Sequence, residues 1–126
     1  MKTARLISLL GSILLAGSAA FHASGYPRFL VPLIEKEGIG WPMSGVLKAS
    51  WLTFSILLFG LAAVVVLARK LEKGGAIILV IAAANAVCAV VMWHFLGFFP
   101  GVYLIAGVTI LLAIGGALQY KDKSVA

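Results

Sequence analysis

Two histidines, His22 and His94, end two of the long apolar runs of this chain in nearly the same way. In FHASGYP (21–27) and WHFLGFFP (93–100), an aromatic residue precedes the histidine, and a glycine, an aromatic residue and a proline follow it. A neutral imidazole binds transition metals and haem iron, and it also hydrogen-bonds to carbonyl and hydroxyl groups. Which of these chemistries applies depends on the elements that position the two rings.

The composition indicates a membrane protein. Of the 126 residues, 63% are hydrophobic and only 11% are charged, whereas soluble domains contain about 25% charged residues. The apolar residues form blocks about as long as a bilayer is thick, instead of stripes that repeat every 3.6 or 2 residues.

Four apolar segments have the length of a transmembrane helix. Each is close to the roughly 20 residues that cross a hydrocarbon core, and none contains an acidic residue. Continuous apolar runs without alternation favour helices over barrel strands. The sequence therefore predicts an all-α membrane protein, one domain folded as an antiparallel bundle of four transmembrane helices. The predicted spans are 6–23, 46–68, 75–95 and 101–120.

The basic residues predict the orientation of these spans. Short cytoplasmic segments carry an excess of Lys and Arg, and placing both termini in the cytoplasm puts seven basic residues inside and three outside. We therefore expect a multi-pass protein of the plasma (inner) membrane. The net charge of +6 has the same explanation, because the basic residues flank apolar runs and form no patch with aromatics, so we expect no nucleic-acid partner. The inner residues are Lys2, Arg5, Arg69, Lys70, Lys73, Lys121 and Lys123, and the outer ones are Arg28, Lys36 and Lys48.

The outer connection, residues 25–45, mixes apolar and charged residues and contains Pro27, Pro32 and Pro42. This pattern predicts a short helix that lies in the membrane interface or folds over the mouth of the bundle. Pro32 is expected to limit its length.

The first apolar run has a second interpretation. Its basic start and the small residues Ser18, Ala19 and Ala20 also resemble a secretory signal peptide before a cleavage point. Cleavage would leave three spans and remove His22.

The two histidine endings also suggest an internal repeat of two parallel helix hairpins, related by an axis along the membrane normal. A fainter likeness between residues 55–58 and 109–112 supports this hypothesis. Ordinary span termination is the alternative explanation, because aromatic residues gather at interfaces and Gly and Pro end helices.

The helical phase of the two histidines differs. Small and polar residues share a face with His22, which predicts that its ring points towards other helices. Larger aliphatic residues share a face with His94, which is equally typical of a lipid-facing side. The residues in phase with His22 are Ser18, Leu15, Gly11 and Ser8, and those in phase with His94 are Val90, Val87, Ala83 and Val80.

The candidate site is an outward-facing, histidine-lined pocket that binds a hydrophobic or amphiphilic ligand. The ligand would be a quinone, a lipid-like molecule, or a haem or transition metal held by His22 and His94. Lys48 would either receive an anionic headgroup or extend its ammonium group into the interface. The predicted ligand-binding residues are His22, Lys48, Trp51, His94 and Tyr103.

Other functions have less support from the sequence. No catalytic residues can be assigned, since no HExxH, phosphate-binding loop or Ser-His-acid arrangement is evident, and we do not expect an enzyme. Cys88 is the one cysteine, which excludes chemistry that needs a thiol pair. The spans also lack the embedded glutamate on which the small multidrug resistance transporters depend.

The alternative function is that of an accessory or scaffolding subunit. Small residues along the helices would pack against a larger membrane protein or a second copy of this chain, while membrane lipid surrounds the rest. The residues in question are Ser8, Gly11, Ser18, Ala82, Ala86, Ala89, Ala106, Ala113 and Gly116.

Overall fold

The computed structural model describes residues 2–124, and its side chains as far as Lys121. This part of the chain is almost entirely helical and contains no strand. The helices are α1 (Lys2–Gly25), α2 (Val31–Lys36), α3 (Met43–Ala68), α4 (Gly74–Leu96) and α5 (Pro100–Ser124), and a π-helical turn (Tyr26–Leu30) joins α1 to α2.

Four helical segments are long and apolar enough to cross a membrane, which confirms the predicted helical membrane class. The segment that starts with α1 extends much further than the predicted span 6–23, because helix continues through the π-helical turn and α2 to Lys36. Pro27 and Pro32 do not end it. Each lies in the first turn of its own segment, where the hydrogen-bond pattern changes between α and π, and each removes one N–H donor from the continuous helix.

The outer connection is consequently shorter than the predicted 25–45. Only residues 37–42 lie outside helices between α2 and α3. Gly38 has a φ of 62°, a left-handed conformation that glycine adopts without a steric penalty. This residue follows α2 and turns the chain towards α3.

α1 has a central position among the long helices. It packs extensively against both α3 and α5, and α5 packs in turn against α4. Among the pairs of long helices that follow one another along the chain, α3 and α4 have the least extensive contact. Ser8, early in α1, lies beside Gly115, late in α5, so both ends of the chain lie at one end of the helices. We call this the terminal end and the opposite one the histidine end.

The interior combines branched aliphatic side chains with alanine, and many large hydrophobic side chains point outwards. Val80, Val87 and Val90 of α4, for example, are all more than 60% exposed. Such faces suit hydrocarbon, which solvates them as well as a protein core does. The buried cluster is Leu15, Ala19, Leu58, Ala62, Val65, Ala68, Ile78, Ile81, Ala82, Ile105, Val108 and Leu112.

Close packing between α1 and α5 depends on a glycine. A Cβ atom added at Gly115 would lie 2.8 Å from the backbone nitrogen of Ser8 and 3.1 Å from its Cα. Because the obstruction is backbone, no side-chain rotation relieves it. Gly115 therefore sets the separation of the two helices at the terminal end.

We expect Gly115→Ala to lower the free energy of unfolding by about 1–3 kcal/mol, the usual cost of overpacking. Gly60→Ala is the matched control, because a Cβ there meets no atom within 4 Å and alanine favours helix. Reversible unfolding in mixed micelles, followed by circular dichroism, measures both. Equal stability of the two variants would contradict the close approach.

Candidate functional site

A pocket lies at the histidine end and is lined by side chains from all four long helices. It encloses about 300 Å³ of empty space, including its open mouth. Its lining is predominantly apolar, and the two polar exceptions are both on α1. The lining residues are Ser18, Phe21, His22, Phe54, Leu58, Met92, Phe99, Gly101, Leu104 and Ile105.

Of the two polar side chains, Ser18 offers a ligand only the lone pairs of its hydroxyl oxygen, whereas His22 offers a ring nitrogen that no described residue engages. The Ser18 hydroxyl donates to the carbonyl of Leu14, one turn earlier, at 2.9 Å. In a helix this local bond occupies the hydroxyl proton. The imidazole of His22 is therefore the natural polar contact in an otherwise apolar cavity.

Three residues of α3 hold the His22 ring. Its Nδ1 lies 2.9 Å from the hydroxyl oxygen of Ser55. One face of the ring stacks on Trp51, with ring centroids 4.4 Å apart and planes inclined by 19°. Phe54 packs edge-on, with a centroid separation of 5.0 Å. These contacts fix both the position and the rotation of the imidazole.

Trp51 also binds the backbone of α1. Its Nε1 donates to the carbonyl of His22 at 2.7 Å. Pro27 removes one N–H donor from this end of α1, and the indole supplies a donor nearby. A Cβ at Gly25 would lie 2.8 Å from Cζ2 of Trp51, so glycine permits the indole to lie directly against α1.

The structure brings together two of the five predicted ligand-binding residues, His22 and Trp51. Lys48 lies on α3 one turn before Trp51. Its side chain is half-buried and does not line the pocket. Tyr103 is 59% exposed and lies outside the lining as well. Trp51 contributes by positioning His22.

His94 is placed differently from His22. Its side chain is exposed, and its ring contacts the neighbouring Phe95 edge-on with centroids 4.9 Å apart. It is not among the residues that line the pocket with His22. The exposure of Val80, Val87 and Val90 agrees with the lipid-facing interpretation of this side of α4. Among the described residues, no group of three or more His, Cys, Asp or Glu side chains could hold a metal ion.

Ser55 was not among the predicted ligand-binding residues, although it holds the functional ring. The sequence does contain a signal for it, since a serine within an apolar span and one turn after a tryptophan places two polar groups on one face. Met92, Phe99, Gly101 and Leu104 give no such signal, because nothing distinguishes an apolar pocket residue from an apolar packing residue in sequence.

Comparisons with protein-family profiles, with curated proteins and with solved structures find no match to this chain.

We expect a double-mutant cycle between Ser55→Ala and His22→Ala to give a coupling energy of about 1 kcal/mol, the usual net value of a hydrogen bond. Unfolding free energies in mixed micelles supply the four values. Thr109→Val with His22→Ala is the control cycle, because the Thr109 hydroxyl bonds only to Ile105 of its own helix. Coupling no larger than in the control would show that the contact between Ser55 and His22 contributes nothing to stability.

Proposed function

We propose that this protein is an integral membrane protein that binds a small amphiphilic molecule in the pocket at the histidine end. The apolar part of the molecule would occupy the space between the helices, and its polar group would hydrogen-bond to His22. One observation carries the proposal: a cavity lined by all four long helices contains a single polar side chain with a ring nitrogen not engaged by the protein, held in place by Ser55 and Trp51.

The lining of the pocket supports a ligand with one polar group. Ligand sites are mostly apolar with a few well-placed polar groups, and this lining has the same character. The aromatic side chains of Phe21, Phe54 and Phe99 suit an aromatic ring or a short hydrocarbon segment of the ligand.

Among the ligand classes that the sequence suggests, an organic amphiphile has the best support. A haem or metal ion held by two histidines would need both rings at one site. His22 faces the pocket, whereas His94 is exposed on α4. Lys48 is half-buried outside the lining, so it offers an anionic headgroup no contact within the pocket.

The orientation proposed for the chain puts both termini in the cytoplasm and the pocket at the outer face of the plasma membrane. The distribution of basic residues supports this direction. The buried face of α1, with Leu15 and Ala19 in the core, also supports a first helix that is retained and not removed as a signal peptide. The two-hairpin repeat is supported by the sequence alone, through the two histidine endings and the fainter likeness between residues 55–58 and 109–112.

An accessory role for the chain has less support. The small residues expected to form a free packing surface are all at least half-buried within the chain itself, and Ser8, Gly11, Ser18, Ala82 and Gly116 are fully buried. They pack the helices of this protein against one another. No surplus stripe of these residues is left for a partner.

We expect Leu104→Trp to remove bound amphiphile, because Leu104 lines the pocket and an indole would fill it. Protein purified in mild detergent would be extracted, and its small molecules quantified by mass spectrometry. Leu118→Trp is the matched control, since Leu118 lies on the same helix with 40% exposure and outside the lining. A molecule enriched in wild type and control but depleted in Leu104→Trp supports the site. Equal content in all three preparations would overturn it.

For the orientation, we expect a fluorescent protein fused to either terminus to fluoresce and a periplasmic phosphatase fused there to be inactive. The same phosphatase inserted after Gly38, in the connection between α2 and α3, should be active. The reverse pattern would place the pocket on the cytoplasmic side.

A further inference from the structure

The hydrogen bonds around His22 form a directed chain. The Ser55 hydroxyl donates to the carbonyl of Trp51, one turn earlier on α3, at 3.2 Å. The same oxygen lies 2.9 Å from Nδ1 of His22. The Ser55 oxygen has one proton for two contacts, and the tautomer of His22 decides which group donates in the contact with Nδ1.

A serine within a helix commonly donates its one hydroxyl proton to the carbonyl one turn earlier, and in that arrangement the Ser55 proton goes to the Trp51 carbonyl. The bond between Ser55 and His22 then requires a proton on Nδ1, which donates to the hydroxyl oxygen. A neutral imidazole carries one N–H. The other ring nitrogen, Nε2, is therefore left with a lone pair and accepts hydrogen bonds. Within the described part of the chain, Nε2 has no hydrogen-bond partner.

Neither the second polar side chain of the lining nor the indole that stacks on His22 offers a free donor. The Ser18 hydroxyl is engaged with the carbonyl of Leu14, and the indole Nε1 of Trp51 is engaged with the carbonyl of His22. A ligand with only a carbonyl or ether oxygen would lose its bonds to water and gain none in return. A ligand with a hydroxyl group would donate to Nε2.

We infer that the pocket selects amphiphiles that present a hydroxyl group as a hydrogen-bond donor, such as phenols and other alcohols, over analogues with only an acceptor. This inference rests on the proposed ligand-binding function and specifies its substrate class. It favours a hydroxyl-bearing molecule over the carbonyl of a quinone. The Nε2 lone pair would also suit a metal, but the pocket lining provides no carboxylate, thiolate or second imidazole to complete a coordination sphere.

The proton positions can be measured directly on the full-length chain in lipid nanodiscs. His94→Gln leaves His22 as the only histidine, and labelling with ¹⁵N-histidine then gives one pair of ring nitrogens. At a pH where the ring is neutral, the protonated nitrogen should be Nδ1. Ser55→Ala should weaken this preference. A proton on Nε2 in the protein with Ser55 intact would overturn the inference.

The selectivity is tested with a matched pair of probes, 4-hexylphenol and 4-hexylanisole, which differ by replacement of the hydroxyl proton with a methyl group. The Nε2 resonance of His22 reports binding, and separate measurement of each probe in protein-free nanodiscs corrects for partition into lipid. We expect the phenol to bind roughly 5-fold more tightly, the ratio that corresponds to a hydrogen bond of about 1 kcal/mol. In Ser55→Ala the ratio should fall towards one.

The outcomes separate the two proposals. Saturable binding of both probes with equal affinity would overturn the donor selectivity and leave the ligand pocket supported. Binding of neither probe, with the resonance of His22 unchanged in wild type and in Leu104→Trp, would overturn the pocket and with it the selectivity.

Discussion

Polar groups inside a bilayer have no water to bond to, and each must find its partner within the protein. This chain satisfies most of its buried hydroxyl and amide groups in the simplest way. Ser8, Ser18, Asn85 and Thr109 each donate to the carbonyl one turn earlier in the same helix. These bonds stabilise single helices and leave the packing between helices to shape and close approach, as Gly115 shows.

Hydrogen bonds between different helices are concentrated on α1. Ser12 donates to the carbonyl of Ala62 on α3 at 2.9 Å, and His22 exchanges hydrogen bonds with Ser55 and Trp51 of the same helix. Hydrogen bonds thus join α3 to α1 at two positions along the helices, one at Ser12 and one at His22. The least extensive packing is on the other side of α3, towards α4. The pocket includes Phe54 and Leu58 from α3 and Met92 from α4, on both sides of this looser contact.

The sequence was sufficient for the helical class and for the four membrane-length segments, because hydrophobic length decides both. Helical phase predicted an inward His22 and left the direction of His94 open, although both histidines were placed in the predicted site. The extension of the first helix was not predicted, because Pro27 and Pro32 resemble helix breakers until their first-turn positions are known. Of the pocket lining only His22 was predicted, together with Trp51, which positions it, since the apolar lining residues are chemically indistinguishable from a core.

The length of the first helical segment has a consequence for the depth of the site. The segment runs for 35 residues, Lys2–Lys36, and at 1.5 Å per residue it is about 50 Å long, against about 30 Å of hydrocarbon. The 20 residues from Lys2 to His22 account for roughly that hydrocarbon thickness. If Lys2 lies at one headgroup layer, the imidazole of His22 lies at the depth of the other, and residues 26–36 extend beyond that depth. A ligand bound as proposed would then have its polar end level with the phosphates and its tail among the acyl chains.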